Sequence, residues 1–491
     1  MFKKSRRIKA LLPTTAILIL LLVFASPAAA KVPKYVFLFI GDGMGIPQRT
    51  AANEYLGKKL LVDRLPYQGI TTTRAADRFI TGSAAAGTAM ASGLKTNIGV
   101  LGMDPDLKPV KTIAEMARDK GMKVGIVSSV SVDHATPAAF YAHVPKRGQY
   151  YDIDVALAES GFDYFGGGTI KDPENERGNA TSFRGNAWDL IRKNGYTVTQ
   201  TRSDFEKITQ ADGKTFATNK WIQNSGALPY EMDTSNNDIT LAEFTQKGIE
   251  LLDNANGFFM MVEGGKIDWA CHANDATAAI KDTLAFDRAV EKAYAFYKNH
   301  PEDTLIVVTG DHECGGMTLG FAGTKYQTYF EVLKGQKASF RQFTDEIITQ
   351  FREKETAPSF EEMKPHITDY FGLKFRGAAN DPMVLANHEI TRIIEAYQRS
   401  MHKDVEKSND PRTYVMYGGY DPLSVTLTHI LNQKGGIAWT SYKHTGVPVT
   451  TSAVGRDGEK FQGMYKNTDI ALKIMDIMGM GASFKYAASL R

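Results

Sequence analysis

At 491 residues, with 43% hydrophobic and 23% charged residues and 44 glycines, the chain has an ordinary globular composition, which excludes disordered and collagen-like classes. Its length admits about three nominal domains or one large α/β unit with insertions. The formal net charge is +3, and removing the five cations among residues 1–30, which contain no acid, takes it to −2. A near-neutral mature chain offers no electrostatic case for nucleic-acid binding or for adhesion to a membrane surface.

The N-terminus reads as a targeting segment. Lys3, Lys4, Arg6, Arg7 and Lys9 precede an apolar run over 11–24 and the small-residue site Ala28-Ala29-Ala30. This pattern predicts a signal peptide over 1–30, cleaved after Ala30, and a periplasmic or secreted mature protein. Pro13 and the shortness of the apolar run argue against a retained membrane anchor. Arg6-Arg7 after Ser5 keeps twin-arginine export open beside the general route.

Further along, short apolar runs end in polar or glycine-rich turns. The run 35–40 ends in Gly41-Asp42-Gly43, and 124–130 ends in Ser131-Val132-Asp133-His134. Likewise 258–262 ends in Glu263-Gly264-Gly265, and 305–309 in Gly310-Asp311-His312. Such runs read as strands of a buried sheet that carries ligands at its carboxyl ends. Helical patterns over 112–120, 239–254 and 276–299 alternate with them, which predicts an α/β fold: a mainly parallel central sheet covered on both faces, in three α/β/α layers. The stretch 320–436 is richer in charge and reads as helices near 339–354, 359 onward, 387–403 and 421–434, the second opening with the capping box Ser359-x-x-Glu362. It has the character of an insert or cap.

Several residues carry chemistry. Ser83 opens the small-residue run 83–93, a predicted helix stopped by Gly93, so it stands where unpaired N–H groups and the helix dipole favour an anion. Taken alone it reads as an N-cap or as a nucleophile. Asp268 and His272 lie one helical turn apart, a spacing that suits one zinc ion. Asp311-His312 and Asp42 sit at strand ends where glycines allow the chain to turn. Cys271 and Cys314 are the only cysteines and lie beside these motifs as buried thiols, zinc ligands or a single disulfide. Each signal has an ordinary structural reading, but four metal-competent strand ends in one chain point to a metal centre.

Six ordered segments resemble the alkaline phosphatase family: Gly41-Asp42-Gly43-Met44-Gly45, Thr81-Gly-Ser83-Ala-Ala-Ala-Gly-Thr-Ala, His134-Ala-Thr136-Pro-Ala-Ala, Glu263-Gly-Gly-Lys-Ile-Asp268-x-x-x-His272, Thr309-Gly-Asp311-His312 and Lys443-His444-Thr-Gly. The resemblance spans about 35–479 and is weakest over 171–235 and across the helical insert. It implies hydrolysis of small phosphate monoesters to alcohol and inorganic phosphate through a phosphoserine on Ser83. It also implies that Asp268, His272 and His444 hold one Zn2+, and that Asp42, Asp311 and His312 hold a second. Glu263, Thr136 and Asp42, with His134 beside them, would hold a third ion of the Mg2+ type, and Arg147 would grip two phosphate oxygens. The frequent dimers of that family bring a homodimer into view, with no membrane contact after signal cleavage.

Two departures stand out. The family usually has aspartate before the nucleophile, where this chain has Gly82, which implies a less restrained Arg147 and weaker phosphate binding. His134 and Trp269 replace the aspartate and lysine of some bacterial members, which leaves Zn2+ or Co2+ as well as Mg2+ open at the third site. Other readings are a related phosphodiesterase or sulfatase, which Arg147 and the third-metal residues disfavour, and a non-catalytic metal and phosphate binder, motivated by Gly82.

Overall fold

The computed structural model describes residues 32–354, 358–378, 380–402 and 410–481. The signal-peptide reading over 1–30 therefore lies outside the described residues. In chain order the strands are β1 (Tyr35–Gly41), β2 (Tyr67–Thr72), β3 (Lys123–Ser128), β4 (Tyr164–Gly167), β5 (Tyr196–Thr199), β6 (Lys214–Thr218) and β7 (Phe258–Glu263). They continue with β8 (Thr304–Gly310), β9 (Glu313–Cys314), β10 (Thr318–Leu319), β11 (Ile437–Ala438), β12 (His444–Thr445), β13 (Val449–Gly455) and β14 (Gly463–Lys466). Ten of them form one sheet in the order β14-β2-β13-β8-β1-β7-β3-β4-β6-β5. Only β13 runs against the others, so the sheet is mainly parallel.

The sheet is buried on both faces: β1, β7 and β8 are buried at every position and mostly apolar. Along β1, Val36, Leu38 and Ile40 point into one core, which they share with the helices Ser83–Ser92, Ile113–Asp119 and Asn467–Ile477. Tyr35, Phe37 and Phe39 point into the other, with the helices Leu241–Leu252 and Ala276–Asn299. Side chains alternate across a strand, so one uniformly apolar segment feeds two cores, and helices must cover each. The result is the three-layer α/β/α arrangement.

Within 320–436 the described residues form mostly helices, including Phe360–Phe371, Asn387–Ser400 and Pro422–Gly435. The Ser359/Glu362 capping box forms as its residues predict. The helix expected near 339–354 forms over Phe340–Glu353 as one continuous helical stretch, with a π segment at Thr344–Ile348 between the α segments Phe340–Phe343 and Thr349–Glu353. Phe340, Ile367, Ile393 and Leu427 of this segment join the Phe37 side of the core.

Candidate active site

The chemistry-bearing residues gather at the carboxyl ends of β8, β1, β7 and β3. Asp42 follows β1, Glu263 ends β7, and Asp311 and His312 follow β8. The helix Lys266–His272 then carries Asp268 and His272 on one face. His444 arrives from far along the chain through the antiparallel β12/β9 pair, which sets it opposite Cys314. The positive φ of Gly43 (71°) turns the chain after Asp42, and the Gly43 N–H donates to Asp311 Oδ1 at 3.0 Å.

Ser83 is the first residue of its helix and is 2% exposed. Gly82, in extended conformation, is the N-cap, so the capping role open to Ser83 is not the one it takes. Its Oγ lies 3.4 Å from His312 Nε2. That nitrogen is also 3.4 Å from Asp42 Oδ1 and 3.2 Å from Asp311 Oδ2. A ligand atom from each of Asp42, Asp268 and His312 lies within 4.8 Å of the others. Asp311, expected in that set, contributes its Oδ2 at the edge, while its Oδ1 is occupied by the backbone N–H groups of Gly43 and His312.

The second cluster is Asp268, His272 and His444. The Nδ1 atoms of the two histidines lie 2.6 Å from the Tyr442 carbonyl and 2.9 Å from that of Thr81. A carbonyl only accepts, so both protons sit on Nδ1 and both Nε2 atoms present lone pairs. Those lone pairs face each other at 3.1 Å, with Asp268 Oδ2 3.3 Å from His272 Nε2 and Asp268 Oδ1 3.6 Å from His444 Nε2. A metal cation, or a proton on one imidazole, reconciles three acceptors so placed. Cys314 lies in the same group. Burial pushes its thiol well above the ordinary range, and its Sγ–H donates to the Asp268 carbonyl at 3.7 Å. Cys271 and Cys314 are both free and buried.

The third cluster unites Asp42, His134 and Glu263. Thr136 Oγ1, Glu263 Oε1, His134 Nδ1 and both Asp42 oxygens are buried without a hydrogen-bond partner. Unpartnered buried polar atoms are costly, and in this density they fit bound metal. Burial, followed by Asp311, Asp268 and Glu263, pushes the Asp42 carboxyl well above the usual range. Burial also lifts Glu263 to about 7 and Asp311, with Asp268 next to it, to about 8. So many carboxylates side by side ionise together only where cations neutralise them.

Arg147 stands over this floor with Nη2 2.8 Å from His134 Nε2. Ser83, His134, Arg147, Asp268, His272 and His444 open into one cleft of about 250 Å3, with Trp269, Asn224, Ser225 and Tyr420 completing its wall. Nothing in the sequence marks the last three. Asn224 and Ser225 belong to no motif, and Tyr420 comes from the helical insert. The one local trace is Ser225, whose positive φ (54°) is a conformation few non-glycine residues adopt.

A family model described as alkaline phosphatase matches residues 33–480. Alkaline phosphatase 3 of Bacillus subtilis (strain 168) is 29% identical over 454 residues, covering 90% of this chain and 88% of that one. The alkaline phosphatase of Escherichia coli (strain K12) is 33% identical over 333 residues, covering 57% of this chain and 70% of its own. Among solved structures, a cold-active alkaline phosphatase from a psychrophilic Shewanella sp. superposes with a TM-score of 0.74 at 28% identity, over 90% of this chain and 99% of that one. The Thermus thermophilus alkaline phosphatase gives 0.74 at 25% identity, over 96% of both.

This chain belongs to the alkaline phosphatase family. It is a hydrolase of phosphate monoesters, and the family's need for divalent metal ions agrees with the residue clusters just described.

Proposed function

We propose that the protein hydrolyses phosphate monoesters through a phosphoserine on Ser83, with two zinc ions and a third ion of the magnesium type. The observation that carries this reading is the convergence of unfilled, buried donor atoms on three points around Ser83 Oγ. Asp268, His272 and His444 would hold one zinc, and Asp42, Asp311 and His312 the other. Glu263, Thr136, Asp42 and His134 would hold the third ion, and the His134 imidazole makes zinc or cobalt a competitor of magnesium there. When bound, such ions supply Lewis acidity to the attacking and leaving oxygens.

The residues of the chain do the rest. Ser83 Oγ attacks phosphorus as the ester P–O bond breaks, so the phosphoryl group passes to serine and the alcohol departs with a proton. Water then breaks the P–Oγ bond, which restores the Ser83 hydroxyl and releases inorganic phosphate. Two in-line displacements leave the configuration at phosphorus unchanged. Arg147 offers a planar fork to two phosphoryl oxygens, and the N-terminal N–H groups of the helix Ser83–Ser92 stabilise the same charge.

The mature chain, residues 31–491, is read as one catalytic unit in which the helices of about 320–436 cap the cleft, in keeping with Tyr420 in its wall. Export to the periplasm or medium follows from the leader at 1–30. Among the described residues no helix is long and apolar enough to cross a membrane. A homodimer is proposed from the habit of the family.

Turnover of an aryl phosphate monoester, an aryl phosphodiester and an aryl sulfate, before chelation, after it and after return of zinc with magnesium, tests the reading. The monoester is expected to be hydrolysed fastest, in a chelator-sensitive and metal-restored manner. A preference for diester or sulfate, or turnover indifferent to chelation, overturns it.

A further inference from the structure

An arginine side chain has hydrogen-bond donors and no acceptor. Its contact with His134 Nε2 at 2.8 Å therefore requires a lone pair on that nitrogen and the ring proton on Nδ1, which is buried and has no partner. His134 is also one of the three residues whose ligand atoms lie within 4.8 Å of one another in the third cluster. Metal ligation is incompatible with the Arg147 contact whichever nitrogen binds. Through Nε2 the ion takes the lone pair that Arg147 uses; through Nδ1 the proton moves to Nε2, which then faces Arg147 as a second donor.

We propose that Arg147 and the third-site ion compete for the single imidazole of His134, so that His134 parks the arginine while that site is empty and releases it when it ligates. His134 is thus a positioning residue: it sets where the guanidinium is and leaves the phosphoryl group itself to Arg147. No carboxylate holds Arg147 in its place, because Gly82 has no side chain and the one side-chain hydrogen bond of Arg147 among the described residues is to His134. The released fork is free to take phosphate. By thermodynamic reciprocity, phosphate then tightens the third ion as much as the ion tightens phosphate. The proposal rests on the assignment of His134 to the third site.

The test uses full-length mature enzyme loaded with zinc, with inorganic phosphate as the probe in calorimetric titrations, in the presence and absence of magnesium. In the wild type, magnesium is expected to tighten phosphate on the order of tenfold through the freed arginine, the range of one charge-assisted hydrogen bond. Charge neutralisation by magnesium adds a part that Arg147→Ala keeps, and in that variant the enhancement falls to that remainder. Equal enhancement in wild type and Arg147→Ala overturns the proposal. So does a magnesium-loaded crystal structure in which Arg147 Nη2 still sits within hydrogen-bond distance of a metal-ligating His134. Failure of the functional reading looks different: the zinc-loaded wild type then neither binds phosphate nor turns over an aryl phosphate.

Discussion

A Cβ placed on Gly43 would stand 2.8 Å from Asp268 Cα and 2.9 Å from Asp268 Cβ. The turn that follows Asp42 is thus packed directly against the backbone of a residue in the neighbouring ligand set, and the two sets share one wall.

Gly43→Ala is expected to act twice. The positive φ of 71° disfavours any side chain, costing about 1–3 kcal/mol of stability, and the methyl group displaces Asp268. Thermal melting together with metal analysis by mass spectrometry checks it: a lowered Tm with fewer zinc ions retained is expected. Full zinc content at unchanged Tm would contradict the packing argument.

The pH dependence of the metal-free protein follows from its carboxylates. Glu263 is lifted to about 7 and Asp311 to about 8, in both cases with burial the first cause, so the folded apoprotein binds protons that the unfolded chain has already lost. Stability with respect to these groups is fully present below their unfolded values near 4 and is lost as pH rises through about 7 to 8. The lowered pKa values of His134, His312 and His444 act oppositely below about pH 7, so the comparison is made above it: the chelated protein should melt at lower temperature at roughly pH 8.5 than at pH 7. Zinc affinity should run the other way, because ligation needs the ionised carboxylates. An apoprotein Tm that rises over this range would refute the account of the cluster.

Gly82 has room for a carboxylate. Its backbone is extended, with φ −129°, and an added Cβ meets only Ile98 Cδ1 at 3.7 Å and His444 Cε1 at 4.0 Å. Gly82→Asp should fold normally and give Arg147 an ionic partner beside the nucleophile. Inhibition of turnover by inorganic phosphate reports the effect: the inhibition constant should fall on the order of tenfold. An unchanged constant means that Gly82 is not what sets phosphate affinity.

The metal-bearing floor was legible in the sequence because its residues lie at the ends of mostly apolar strand runs, where a lone Asp, Glu or His is conspicuous. Asp42 after β1, Glu263 at the end of β7 and Asp311-His312 after β8 all appear where the run of buried residues stops. Strand β2 left no such mark because it is only half buried, and the alternation is too weak to separate it from a loop. Whether Ser83 or Gly82 caps its helix is not decided by residue type, and the extended backbone of Gly82 makes it the cap. The Arg147–His134 contact, whose partners are 13 positions apart, and the arrival of Tyr420 at the cleft depend on tertiary packing. No local pattern encodes either.

The central claim is that Ser83 carries the phosphoryl group. Incubating the zinc-loaded enzyme with an aryl phosphate, quenching in acid and mapping phosphorylated peptides by mass spectrometry tests it most directly. The account predicts phosphate on the peptide containing Ser83, and none in Ser83→Ala, whose turnover falls by about three orders of magnitude or more while its zinc content stays intact. Turnover by the wild type with no phosphate trapped on Ser83, or undiminished turnover by Ser83→Ala, would contradict it.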